Sequence, residues 1–121
     1  MSFERVAGFV YPLFRFVFGL LYMCHGLQKF GLFGGHMVPM FSRLGAAAVI
    51  EVLCGPFIAV GAFTHLAAFI ASGETAFAYF LQHYPRAFWP IQNMGEPAAL
   101  YCFAFLYIAA RGAGRFGFDR S

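Results

Sequence analysis

Six ionisable side chains stand within, or open, runs of otherwise apolar residues: Arg15, His25, Lys29, Glu51, Glu74 and Glu96. An ionisable group inside hydrocarbon costs at least ~2.5–3.5 kcal/mol on insertion scales, so each one needs a partner or a task. The types suit proton and oxygen chemistry. Glu51 and Glu74 are candidate proton carriers, and His25 and Lys29 are candidate donors to a bound oxygen atom. Arg15, Tyr22, His83 and Glu96 are candidate lining residues of the same site. No set of residues has metal-ligand spacing. Cys24, Cys54 and Cys102 each sit alone in an apolar run, without a CxxC pair, and are read as packing residues.

Helical spacing groups these side chains. At about 100° per residue, Arg15, Gly19, Tyr22, Gly26 and Lys29 share one narrow face, with His25 at its edge. Ala47, Glu51, Gly55 and Ala62 form a second such face, and Ala67, Ala71, Glu74 and Ala78 a third. Small residues with one charge per face are what bundle-facing sides need, because glycine and alanine let helices approach. A rise of about 1.5 Å per residue brings Lys29, His25, Glu51, His83 and Glu96 to a similar depth, with Arg15 and Glu74 below them. Two ion pairs are therefore expected, Lys29–Glu51 and Arg15–Glu74. Such pairs also serve as structural register pins, although burial often costs more than the pairing returns.

The elements that must position these residues follow from composition. Of 121 residues, 61% are hydrophobic and 11% charged, against roughly 45–50% and about 25% in a soluble domain. The fold class expected is all-α: an integral membrane four-helix bundle in a single domain, residues 1–121. Its spans are expected over about 9–30, 45–63, 66–82 and 96–110. Long runs apolar on nearly all sides exclude barrel strands, which alternate every second residue. Pro97 falls in a first helical turn, where its missing N–H is harmless. Thr64-His65 is expected to turn the chain, and the tail after Gly112 is short and arginine-bearing. The first apolar run follows only eight residues with no cleavage signature, so it reads as a retained span. A net charge of +3 is thinly spread and gives no nucleic-acid surface. Arg5, Arg111, Arg115 and Arg120 flank one end, while Arg43 and Arg86 flank the other, which favours cytoplasmic termini.

The chain also resembles the DoxX family of small bacterial membrane proteins over nearly its whole length. The segments carrying the resemblance are RFVFGLLYMCHGLQKFGLFGG from Arg15 and EVLCGPFIAVGAFTHLAA from Glu51. ETAFAYFLQHYPRAFWPIQNMGEPAALY from Glu74 and GAGRFGFD from Gly112 complete them. The family pattern falls on Arg15, His25, Lys29, Glu51, Glu74, His83 and Glu96. The resemblance implies a four-helix protein of the bacterial inner membrane, with links in some members to thiosulfate:quinone oxidoreduction, quinol oxidase or oxidative-stress complexes.

Three functions follow as expectations. The first is a redox-linked subunit with an intramembrane site for a quinone or a small sulfur-containing substrate. The second is a non-catalytic scaffold anchoring a soluble redox enzyme. The third is a small-solute transporter, which at this length requires a homo-oligomer. Haem is disfavoured, because only His25 lies well inside a span and axial ligation would need a second such histidine. The lipid bilayer is the one partner common to all three.

Overall fold

The computed structural model describes residues 2–119, and Arg120 of the flanking arginines lies outside the described residues. The described chain is helical, with no strand: α1 (Phe3–Lys29), α2 (Arg43–Val60), α3 (Thr64–Ala78), α4 (Pro90–Asn93) and α5 (Glu96–Arg111). A π turn, Tyr79–His83, prolongs α3, and a 3₁₀ turn, Tyr84–Arg86, follows it. α1 packs along α2, α3 along α5, and α2 against α3. The four long helices fall close to the expected spans. α1 starts six residues before Phe9, and α2 ends at Val60, so the turn to α3 is made by Gly61–Phe63 and not by Thr64-His65.

Local chemistry sets these ends. Ser2 caps α1 by accepting from the Arg5 N–H at 3.2 Å. Ser42 caps α2 by accepting from the Gly45 N–H at 3.1 Å. α2 stops at Gly61, whose φ of 75° is left-handed and costs glycine little; the Ala62 N–H then closes on the Phe57 carbonyl at 2.9 Å.

Two seams hold α1 in different ways. Against α2 the approach is close: a Cβ added to Gly19 would lie 2.5 Å from the Ala59 nitrogen, and one added to Gly26 would lie 2.8 Å from the Glu51 Cβ. Toward α5 the gap is filled by rings instead. Tyr22 meets Phe105 edge-on at 4.7 Å, and Phe18 meets Tyr101 at 5.7 Å. The expected small-residue face of α1 is thus the buried one, holding Arg15, Gly19, Tyr22 and Gly26.

Outward faces are apolar. Leu13, Phe69, Phe77 and Phe103, on three different helices, are between 62 and 70% exposed. α1 and α2 are long and apolar enough to cross a membrane, and only 28% and 39% of their apolar windows are buried within the chain. A water-soluble core helix would be mostly buried; most residues of these two helices are not.

Candidate functional site

The helices deliver the ionisable residues to two separate places. At the end of the bundle holding the interhelical loops, a cavity of about 250 Å³ lies between α1, α2, α3 and α5. Tyr22, His25 and Lys29 enter it from α1, Glu51 from α2, Glu74 from α3, and His83 from the π turn. Tyr101 of α5 closes one side, meeting His25 edge-to-face at 5.4 Å.

The polar contacts inside are short. Lys29 Nζ donates to Glu51 Oε1 at 2.6 Å, the expected ion pair, with the Glu51 side chain 7% exposed. Tyr22 donates its hydroxyl to Glu74 Oε1, also at 2.6 Å. Glu51 and Glu74 line the same cavity from α2 and α3. Two bonded pairs, Lys29–Glu51 and Tyr22–Glu74, therefore share the cavity wall. Among the described residues no buried side-chain nitrogen or oxygen lacks a partner.

His83 is oriented by the loop. Its Nδ1 lies 3.1 Å from the Asn93 carbonyl, and a carbonyl can only accept, so that nitrogen carries the proton. A neutral His83 therefore presents Nε2 as an acceptor. Asn93 is fully buried and ties the loop further: its amide donates to the Ala87 carbonyl at 3.0 Å and the Tyr79 hydroxyl at 3.2 Å. The Gly95 N–H returns a bond to Asn93 Oδ1 at 2.8 Å. Sequence reasoning passed over Asn93 and Tyr101. A buried asparagine gives no helical-period signal, and Tyr101 looked like one aromatic among many.

Two expected site residues lie elsewhere, and one expected pair does not form. Arg15 does not meet Glu74. It lies at the opposite end of the bundle, 2% exposed, and its guanidinium is taken up by backbone carbonyls. Nε donates to Ala113 at 2.9 Å, and Nη1 to Ile58 at 2.9 Å and Ala59 at 2.5 Å. Nη2 reaches Arg115 and Phe116 at 3.5 Å. The carbonyls of Ile58 and Ala59 lie in the last turn of α2, where Ile58 also accepts from the Gly61 N–H at 3.2 Å, so Arg15 caps α2 from the side. Glu96 is not part of the cavity either. It is exposed in the first turn of α5, a favourable place for a carboxylate, and borders an outer aromatic groove with Phe14 and Phe18.

The tail completes this second cluster. Tyr11 donates to the Gly112 carbonyl at 2.6 Å, and the Phe118 and Asp119 N–H groups bond Val60 and Gly61 at 3.0 and 2.8 Å. Asp119 then caps α3, accepting from the N–H groups of Phe63 at 2.9 Å and Thr64 at 2.8 Å and from the Thr64 hydroxyl at 2.8 Å. The Thr64 N–H foremost, helped by that hydroxyl and the Phe63 N–H, holds the Asp119 carboxyl below the usual aspartate range.

The family model described as DoxX matches residues 11–84, a stretch that contains Arg15, the Lys29–Glu51 pair, Glu74 and His83. A Haemophilus influenzae protein described as uncharacterized is 36% identical over 124 aligned positions, covering 96% of this chain and 92% of its own. No solved structure matches significantly. A family model spanning more than half of the chain, and a relative aligned nearly end to end, place it plainly: this chain belongs to the DoxX family.

Proposed function

We propose that this DoxX family member crosses the bacterial inner membrane four times with its termini in the cytoplasm, as a single domain. Its cavity holds the polar head of a quinone or a small sulfur-containing substrate, and Glu51 and Glu74 exchange protons with it. One observation carries the reading: Lys29, Glu51, Glu74 and Tyr22 converge on one cavity inside an otherwise apolar bundle. A register pin would need only the ion pair and no space beside it.

The chemistry follows from the groups. One lysine shares the cavity with two carboxyls, so the cluster is neutral when the pair of carboxyls holds a single proton. Gain and loss of that proton is the step the site can perform. Lys29 has two further N–H donors for a substrate oxygen, and His83 offers an acceptor for a hydroxyl. At about 250 Å³ the space falls just below the ~300–1,000 Å³ of pockets that enclose a whole drug-sized ligand, and suits one ring or a small oxyanion. Quinone reduction takes up one proton per electron; a partner redox enzyme supplies the electrons, and this chain supplies binding and protons. The exposed phenylalanines of α1, α3 and α5 support four spans. α5, of 16 residues, covers about 24 Å of a hydrocarbon core about 30 Å thick, a mismatch that local thinning accommodates.

Titration of the detergent-purified chain with a short-chain quinone tests this. Saturable binding is expected, weakened about tenfold or more by Glu51→Gln, because losing a charged hydrogen-bond partner removes roughly 1.5–3 kcal/mol. Ile58→Ala is the packing control: Ile58 is fully buried away from the cavity, so its loss should lower the melting temperature and spare binding per folded chain. Full quinone binding by the Glu51→Gln protein contradicts the proposal. A stable enzyme partner with no bound small molecule would put the scaffold reading first.

A further inference from the structure

Outside the cavity, the seam between α2 and α3 carries an apolar groove of about 490 Å³, walled by Ala46, Ile50, Ile70, Gly73, Phe77 and Leu81. Glu74 also borders it, with its carboxylate turned inward onto Tyr22. At the loop end the groove runs into a polar depression formed by Ser42, Arg43, Leu44, Gln82 and Arg86, sharing Arg43 and Gln82 with it. No acidic residue lines that depression. Among the described residues neither guanidinium has a salt bridge or hydrogen-bond partner, and both are exposed. Two unneutralised arginines therefore stand at the head of a groove that only an apolar chain would fill.

We infer that the α2–α3 seam is a binding site for an anionic phospholipid, with its phosphate on Arg43 and Arg86 and one acyl chain in the groove below. The inference rests on the membrane-spanning reading above, but not on the chemistry of the cavity. Charge complementarity selects the head: arginine forks match phosphate oxygens, and a zwitterionic head brings its own cation into the pair. The groove selects a lipid over a free anion, since soluble phosphate gains nothing from it. Gly73 marks the floor, where an added Cβ would meet nothing within 4 Å. The helix is thus open there to an outside occupant, and a larger side chain fits without disturbing the fold.

Native mass spectrometry of the full chain, released from detergent containing phosphatidylglycerol or phosphatidylcholine, tests the inference. Retention of phosphatidylglycerol over phosphatidylcholine is expected. The R43Q/R86Q double variant should lose that preference by about tenfold or more, each interfacial cation near an anionic surface contributing roughly a factor of five. Gly73→Leu should fill the groove and lower phosphatidylglycerol retention with both arginines in place. Glycerol phosphate, the head without chains, should bind far more weakly than the lipid. Equal retention of the two lipids, an unaffected double variant, or glycerol phosphate binding as tightly as lipid would each overturn the site. Short-chain quinone binding in R43Q/R86Q should stay at the wild-type level, so a failed lipid site is distinguishable from a failed cavity. Release of the chain from membranes by alkaline carbonate would instead remove the spanning reading that underlies both.

Discussion

Arg15 and Lys29 stand about four helical turns apart on one face of α1, both cationic and both directed into the bundle. Arg15 spends its donors on backbone carbonyls of α2 and the tail, and among the described residues none of them goes to a carboxylate. Lys29 uses one donor on Glu51 and borders open space containing a second carboxyl. A guanidinium can close several unpaired carbonyls at once because its five N–H groups form a rigid fork; an ammonium on a flexible stem suits a site where the partner changes. Burial of a charge therefore does not mark a functional site. What its donors meet, and whether space remains next to it, does.

Breaking the Arg15 end should have the largest effect. Arg15→Met removes the donors to Ile58, Ala59 and Ala113, and a buried carbonyl left unsatisfied, as at Ala59, costs roughly 1–3 kcal/mol. Most of the chain should then fail to accumulate folded, as detergent-phase size-exclusion chromatography would reveal. Arg15→Lys should rescue little, since one ammonium cannot span those carbonyls. A monodisperse, wild-type-stable Arg15→Met protein would erase the contrast between the two ends.

The cavity end should respond differently. Tyr22→Phe deletes the hydroxyl that donates to Glu74 while keeping the ring against Phe105. Cavity water can replace that donor, so a loss of about 1 kcal/mol or less is expected, read as a small drop in melting temperature. The binding phenotype should exceed the stability phenotype. The reverse order would make the cluster a packing element.

This contrast was only half legible in the sequence. The helical period placed Arg15, Gly19, Tyr22, Gly26 and Lys29 on one buried face, and matched depth in neighbouring antiparallel helices found the Lys29–Glu51 pair. The same depth argument failed for Arg15 because it sought a side-chain partner, whereas the last turn of α2 and the tail offered carbonyls. The tail itself could not be read. Its glycines carry no periodicity, and Asp119 caps a helix beginning 55 residues earlier in the chain. Glu96 was placed by depth and by the family pattern, and neither says which way a first-turn carboxylate faces.

A smaller effect sharpens the tail's role. The folded state holds the Asp119 carboxyl below its unfolded value of about 3.9. Its contribution is therefore present above that value and fades as pH falls through the lowered one. Asp119→Ala should cost at most about 1 kcal/mol at neutral pH, a cap this close to solvent being weakened by screening. The variant should also flatten the acid limb of a melting-temperature profile below about pH 4. A profile parallel to wild type would remove Asp119 from the account.

The most direct test asks whether one end of α1 borders a wet cavity and the other a dry clamp. With Cys24, Cys54 and Cys102 replaced by serine or alanine, a single cysteine is placed at Ala98, which lines the cavity, or at Ala59, which is buried against Gly19 near the Arg15 cluster. Maleimides react with the thiolate and need water to form it. The account predicts rapid labelling at position 98, slowed by a short-chain quinone, and no labelling at position 59 until the chain is denatured. Equal labelling at the two positions, or an unreactive position 98, would contradict it.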